Sequence, residues 1–150
     1  MMTRIPFETL MRAAAVQTLT DFAQDANLTL QVYPGRPLTL NPPAAFVERI
    51  RETITGTVPW GAIRERHVFV DIRIVWGRMD SADAVAQRDF FVDNFVDWVW
   101  DRPHSADGQT IIEPREVDDD PNFVAEWMPP ERQRDLFAST VTLEGVAGGP

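Results

Sequence analysis

The stretch from residue 67 to residue 101 constrains the fold most, because a two-residue period gives way there to a 3.6-residue period. From His67 to Trp76 every second residue is apolar, namely Val68, Val70, Ile72, Ile74 and Trp76. Successive side chains of a strand point to opposite faces, so this pattern predicts a strand with one face in the core and the other at least half in water. Gly77 ends the predicted strand.

The remainder of the stretch predicts one long helix that packs on a sheet. Asp80 or Ser81 can cap its start by accepting a hydrogen bond from a free backbone N–H group. At about 100° per residue, one broad arc is apolar and contains Ala84, Val85, Phe91, Val92, Phe95, Val96, Trp98 and Val99. The opposite arc carries Asp89, Asp93, Asp97 and Asp101. The stretch is therefore one strand that leads into one long helix.

Two large aromatic residues, Phe90 and Trp100, fall within the acidic arc of this predicted helix. Like charges four residues apart destabilise an isolated helix by roughly 0.2–0.5 kcal/mol per pair. Exposed rings are typical of surfaces that contact a partner. Two interpretations remain open: the aspartates form a solvated face over which the rings fold back, or the helix faces a partner.

Composition and charge exclude several classes of protein. The chain has 150 residues, of which 44% are hydrophobic, and we expect a single domain. The absence of cysteine excludes disulfides and thiolate metal sites. Arg12 interrupts the first apolar stretch, so we expect no signal peptide and no membrane span, and we expect the protein to be made in the cytoplasm.

The negative charge is concentrated in one part of the chain. Residues 93–131 contain eleven acidic and two basic residues, so this segment carries the whole net charge of −9. Binding to the outside of nucleic acid requires clustered positive charge for phosphate contacts. The charge distribution therefore argues against a nucleic-acid-binding surface of that kind.

The segments before the central strand predict one further helix and short extended pieces. Their periods and turn residues predict a helix at 6–26, a strand at 28–33, a turn at 34–37, a short strand or extended piece at 38–40 and a loop at 56–66. Residues 44–54 are ambiguous. The spacing of Phe46, Ile50 and Ile54 favours a helix, although a strand also fits.

The segments after the central helix contain fewer periodic patterns. We predict a loop at 103–108, a short strand at 110–113 that Pro114 ends, an irregular segment at 115–135, a closing strand at 137–143 and a frayed tail. An irregular segment as long as 115–135 is usually functional or packed by its own side chains.

No motif for catalysis or cofactor binding is present. The sequence lacks a Gly-rich phosphate loop, a G-x-S-x-G turn and an H-E-x-x-H helix, and we interpret His67 as structural. Glu116 with Asp118, Asp119 and Asp120 could offer oxygen ligands to Ca²⁺ or Mg²⁺, but the EF-hand spacing is missing. We therefore predict a protein that is not an enzyme and needs no cofactor and no metal.

Several phrases together resemble the tail terminator proteins of long-tailed, non-contractile bacteriophages. They are Tyr-Pro-Gly-Arg-Pro at 33–37, Pro-Pro-Ala-Ala-Phe-Val at 42–47, the 67–101 unit with Asp-Ser-Ala-Asp-Ala-Val at 80–85, and the segment 121–130 before a closing strand. The resemblance covers residues 7–145.

This resemblance implies a fold and a function. The fold would be α/β (α+β), with a mixed, mainly antiparallel sheet flanked by two long helices in a single domain over residues 1–150, and residues 44–54 would be a strand. Six copies would form a ring at the head-proximal end of the tail in the virion. The ring would cap the tube of major tail tube protein, end its polymerisation and join it to the head–tail connector, and DNA would pass through its channel without specific binding.

The resemblance and the exposed residue types together predict where the ring makes its contacts. Contacts with neighbouring subunits or the tube are predicted at Trp60, Arg64, Arg66, Phe90, Trp100, Phe123 and Trp127. The residues predicted to face the channel, where like charge repels DNA, are Asp97, Asp101, Asp118, Asp119 and Asp120. Three alternatives stay open: another neck or connector component, a small cytosolic acidic binding module, and a metal-dependent hydrolase.

Overall fold

A computed structural model describes residues 6–55, 64–78, 80–102, 104–105, 111–130 and 136–149 of the chain. Its elements are α1 (Phe7–Asp25), β1 (Gln31–Tyr33), β2 (Ala44–Thr55), β3 (Arg64–Gly77), α2 (Ala82–Asp101), β4 (His104–Ser105), β5 (Ile111–Phe123) and β6 (Leu136–Gly149). The strands form a six-stranded sheet in the order β1-β2-β3-β6-β5-β4. β1 pairs with β2 in parallel, and the other neighbours are antiparallel. The predicted fold class, a mixed and mainly antiparallel sheet with two long helices, is confirmed.

Both helices pack on the same face of the sheet. The alternating apolar residues of β3 fill this interface, as their spacing predicted, and none is more than 2% exposed: Val68, Val70, Ile72, Ile74 and Trp76. The helices contribute the following residues to the main core: Met11, Ala15, Leu19, Phe22, Ala84, Phe91, Phe95 and Val99. The ring of Phe22 stands edge-on to those of Phe91 and Phe95, with centroids 5.4 and 5.2 Å away. The predicted strand at 67–76 that leads into a long helix is therefore confirmed.

The turn between β3 and α2 has the chemistry that the sequence predicted. Gly77 has a backbone φ of +143°, which residues other than glycine rarely adopt. A Cβ atom at this position would lie 3.2 Å from the Cβ of Ala84. Ser81 caps the helix, because its hydroxyl oxygen accepts a hydrogen bond from the backbone N–H of Ala84 at 3.3 Å.

Residues 44–54 belong to a strand, so the helix favoured by their spacing is wrong. The register of β2 against β3 shifts between Val47 and Arg49, which marks a bulge at Glu48. The bulge lets Val47 and Ile50 both face the helices although they are three residues apart. Phe46 packs on the opposite face of the sheet from Ile50, so the four-residue spacing that favoured a helix does not mark a shared face.

β5 runs from Ile111 to Phe123, so the strand predicted to end at Pro114 continues into the segment predicted to be irregular. Both prolines of this strand lie beside register shifts, which occur between Pro114 and Glu116 and between Asp120 and Phe123. Proline cannot donate to a ladder and is confined within sheets to edges and bulges. Only 124–130 is irregular among the described residues of the 115–135 segment.

The ends of other elements also differ from the predictions. The predicted strand 28–33 is shorter, the piece 38–40 is a bend, β4 lies inside the predicted loop 103–108, and β3 begins inside the predicted loop 56–66. The predicted frayed tail is wrong, because β6 pairs with β3 as far as Gly149 opposite Arg64. Backbone pairing between distant segments decides these ends, and local composition does not encode it.

The face of the sheet that carries no helix is called the outer face below. One end of it holds a second apolar cluster formed by Leu40, Ala44, Phe46, Val75, Phe123, Ala125, Met128, Leu136 and Ala138. Trp127 closes this cluster, with its ring 5.6 Å from that of Phe46 and its Nε1 donating a hydrogen bond to the carbonyl of Pro37 at 3.0 Å. The irregular segments 34–43 and 124–130 therefore pack together on the outer face.

Candidate interaction surfaces

α2 presents one surface to solvent, which is called the acidic arc below and consists of Asp89, Phe90, Asp93, Asp97, Trp100 and Asp101. Phe90 is 44% exposed and Trp100 is 51% exposed. The Phe90 ring approaches Phe22 at 6.3 Å, whereas Trp100 stacks on no other ring in the described part of the chain. The Trp100 ring is therefore open to solvent on the free face of the helix.

The charges of the acidic arc are largely uncompensated. Asp89 pairs with Arg88 at 3.2 Å. Within the residues that the structure describes, no basic side chain forms an ion pair with Asp93, Asp97 or Asp101. The arc therefore combines three exposed carboxylates with two partly exposed rings on one helix face.

The three consecutive aspartates of β5 do not share a surface, because neighbouring residues of a strand face opposite sides. Asp119 faces the helices: its Oδ1 accepts a hydrogen bond from the hydroxyl of Ser139 at 2.7 Å, and its Oδ2 pairs with Arg88 at 3.3 Å. Asp118 and Asp120 lie on the outer face, and Asp120 pairs with Arg73 at 3.2 Å. Asp119 is therefore tied to the helix side of its own subunit, although its side chain is 44% exposed.

The alternation of these carboxylates also bears on the Ca²⁺ or Mg²⁺ site weighed above. A hard cation needs several oxygens around one point, and Asp119 points away from Asp118 and Asp120. Among the described residues, no group of three or more His, Asp or Glu side chains is arranged to hold a metal ion.

The outer face carries a buried carboxylate covered by two arginines, a site that was not predicted from the sequence. Asp71 on β3 is 6% exposed. Its Oδ2 accepts a hydrogen bond from Arg49 Nε at 3.2 Å, and its Oδ1 accepts from Arg51 Nη2 at 3.1 Å and from Thr142 Oγ1 at 2.8 Å. Burial raises the pKa of Asp71, but the hydrogen bonds from Thr142 and the arginines outweigh it, so this pKa lies below its ordinary value.

A second buried carboxylate, Glu144 on β6, lies further along the outer face. It is 5% exposed, and it accepts hydrogen bonds from Arg115 Nε and pairs with His67 Nδ1 at 3.0 Å. Burial raises the pKa of Glu144, and the contacts with Arg115 and His67 lower it by more, so its pKa also lies below the usual range. His67 thus belongs to a charge network of the sheet.

A cleft of about 410 Å³ opens beside Asp71 on the outer face and is lined by Glu48, Arg49, Asp71, Arg73 and Thr140. Arg73 is held between Glu48, at 2.9 Å, and Asp120. The side chain of Arg49 is 64% exposed although its Nε is bound to Asp71. The cleft therefore has polar walls whose arginine side chains are held in fixed positions.

The residues predicted to make contacts are distributed between surface and interior. Trp60 lies outside the described residues, as does the side chain of Arg64, whose backbone begins β3. Arg66 is exposed and pairs with Glu52. Phe123 is 8% exposed in the second apolar cluster, and Trp127 packs against it, so both stabilise their own chain. Phe90 and Trp100 remain as exposed aromatic candidates.

The sequence partly indicated this charged site, but it could not show which arginines bind Asp71. The outer positions of β3 alternate as His67, Phe69, Asp71 and Arg73, which indicated a partly wet face. The partners of Asp71 come from other strands, with Arg51 and Thr142 located 20 and 71 residues away in sequence. Only the strand register brings these groups together.

The sequence matches no known protein family, and a search of characterised proteins also finds no match. In the described part of the chain, neither helix is long and apolar enough to cross a membrane.

Proposed function

We propose that this protein is a tail terminator of a long-tailed, non-contractile phage, acting as a hexameric ring that caps the tail tube and joins it to the head connector. The observation that carries the proposal is the acidic arc, where a well-packed domain leaves half of the Trp100 side chain in water beside three uncompensated carboxylates. Exposed aromatic side chains of this kind are typical of protein contacts. The mixed sheet with two long helices agrees with the fold that the resemblance implies.

Within this proposal the acidic residues take two different roles. Asp97 and Asp101 share one helix face with Trp100, so we assign them to subunit contacts instead of the channel. Glu116 and Asp118 are exposed on the outer face of β5 and pair with no basic side chain in the described ranges. They are the carboxylates that we assign to the channel, where repeated negative charge keeps DNA from adhering.

Electron microscopy of the purified protein, alone and with purified tail tubes, tests the proposal. We expect sixfold rings in at least one of the two samples, and tubes that stop growing when the protein is added during polymerisation. If the protein stays monomeric in both samples and leaves tube length unchanged, the proposal fails. A small acidic binding module is then the better account, and binding to the connector but not to the tube would identify another neck component.

A further inference from the structure

We infer that Arg49 and Arg51 on the outer face of one subunit receive Asp97 and Asp101 from the acidic arc of a second copy. This inference deepens the proposed ring and rests on it. Asp97 and Asp101 form no ion pair with a basic side chain among the described residues of their own subunit. The inference gives them a partner on a second copy.

Asp71 orients both arginines while leaving most of their donors unused. Arg49 binds Asp71 through Nε, so both of its Nη groups stay without an acceptor among the described residues. Arg51 uses Nη2 for Asp71, and its guanidinium lies 5.3 Å from the ring centroid of Phe69. The side chains are 64% and 44% exposed. Guanidinium groups held in this way bind an incoming carboxylate with little further loss of side-chain entropy.

The charges on the two surfaces have matching spacing. Asp97 and Asp101 are four residues apart on a helix, which corresponds to about 6 Å along its axis. Arg49 and Arg51 are two residues apart on a strand, which corresponds to about 7 Å. A helix lying along β2 can therefore place one carboxylate on each guanidinium.

Trp100 gives the same contact an aromatic component. It lies on the helix face that carries Asp97, and the cleft of about 410 Å³ beside Arg49 is open on the outer face. Guanidinium groups attract the faces of aromatic rings, tryptophan most strongly. The indole ring can thus enter the cleft next to Arg49 while the aspartates meet the arginine pair.

The two surfaces lie on opposite sides of the same sheet, because α2 covers one face and the arginines stand on the other. A contact between them joins unlike surfaces, so a growing chain of subunits always keeps one free surface of each kind, at its two ends. Such head-to-tail contacts close into a ring when their rotation closes. The inferred contact is therefore of the type that a hexameric ring requires.

Charge reversal tests the aspartate side of the contact without touching any bond within the subunit. We expect the double variant Asp97→Arg/Asp101→Arg to weaken self-association, measured by sedimentation, on the order of tenfold or more, with an unchanged melting temperature. Asp83→Arg is the control, since Asp83 is exposed on the same helix about 27 Å before Asp101. Equal association of the double variant and the wild type would overturn the inference.

Cross-linking tests the arginine side, and the absence of cysteine makes it specific. Copies carrying Asp97→Cys are mixed with copies carrying Arg49→Cys and treated with a short bis-maleimide, because an Asp–Arg pair exceeds the roughly 7 Å between Cα atoms that a disulfide allows. We expect a cross-linked dimer from this mixture and none when Asp83→Cys replaces Asp97→Cys. Rings without this cross-link would overturn the inference and leave the proposed function intact. If neither rings nor binding to tubes is seen, both fail.

Discussion

Asp71 is the residue whose substitution most directly tests the charge network of the outer face. It is 6% exposed and accepts hydrogen bonds from two arginines and a threonine. Asp71→Asn keeps the shape of the side chain but removes the charge and one acceptor, so we expect the free energy of unfolding to fall by about 1–3 kcal/mol. Chemical denaturation measures this change. Asp118→Asn is the control, and we expect a change within about 0.5 kcal/mol for that exposed residue.

The lowered pKa values of Asp71 and Glu144 predict how stability depends on pH. Both carboxylates bind protons more weakly in the folded chain than in the unfolded chain, whose values lie at about 3.9 for Asp and 4.3 for Glu. The unfolded chain therefore takes up protons first, and the stability present above these values is lost as pH falls toward the folded values. Denaturation series at decreasing pH should show this loss, and Glu144→Gln should reduce its slope. A slope unchanged by Glu144→Gln would contradict the assignment.

At the scale of elements, α2 has a buried face and an exposed face, and each face carries a phenylalanine that can be substituted. Phe95 is fully buried and stacks on Phe91 with centroids 4.6 Å apart, whereas Phe90 is 44% exposed. We expect Phe95→Ala to lower the free energy of unfolding by about 3–5 kcal/mol, through lost burial and the cavity left behind. Phe90→Ala should cost much less. Thermal denaturation of both variants measures the difference, and an equal loss would mean that the helix face is wrongly assigned.

The elements with an unbroken period were those that could be predicted from the sequence. β3 keeps one period from His67 to Val75, before its register against β6 shifts between Val75 and Gly77. The long helices α1 and α2 also keep one period, so the faces of these elements followed from local spacing. β2 and β5 contain bulges at Glu48 and Arg115, and each bulge shifts the alternation by one residue. A bulge is stabilised by pairing with the neighbouring strand, which local sequence does not show. The spacing of Phe46, Ile50 and Ile54 therefore suggested a helix at β2, and Pro114 suggested an early end of β5.

At the scale of the whole molecule, substitution of Trp100 tests whether a residue can be needed for assembly without being needed for folding. Its ring is half exposed and lies outside the core clusters, so we expect Trp100→Ala to keep the melting temperature within a few degrees. The same variant should lose ring formation or tube binding, as seen by sedimentation and electron microscopy. Leu38→Ala, a substitution at a residue that is 93% exposed, is the matched control for losing a surface apolar group. Assembly that survives Trp100→Ala but not Leu38→Ala would place the contact on the loop instead of the helix.

The sequence by itself determined the strand-to-helix unit, the face of α2 that enters the core and the acidic arc opposite it, because each depends on spacing within one element. The tertiary structure alone decided that Asp119 faces the helix side of the sheet, where it contacts Ser139 and Arg88. It also decided that both helices share one face of the sheet and that Arg49 and Arg51 converge on Asp71. These features depend on strand order and register, which are set by contacts between segments far apart in the chain. Local periodicity carries no record of those contacts.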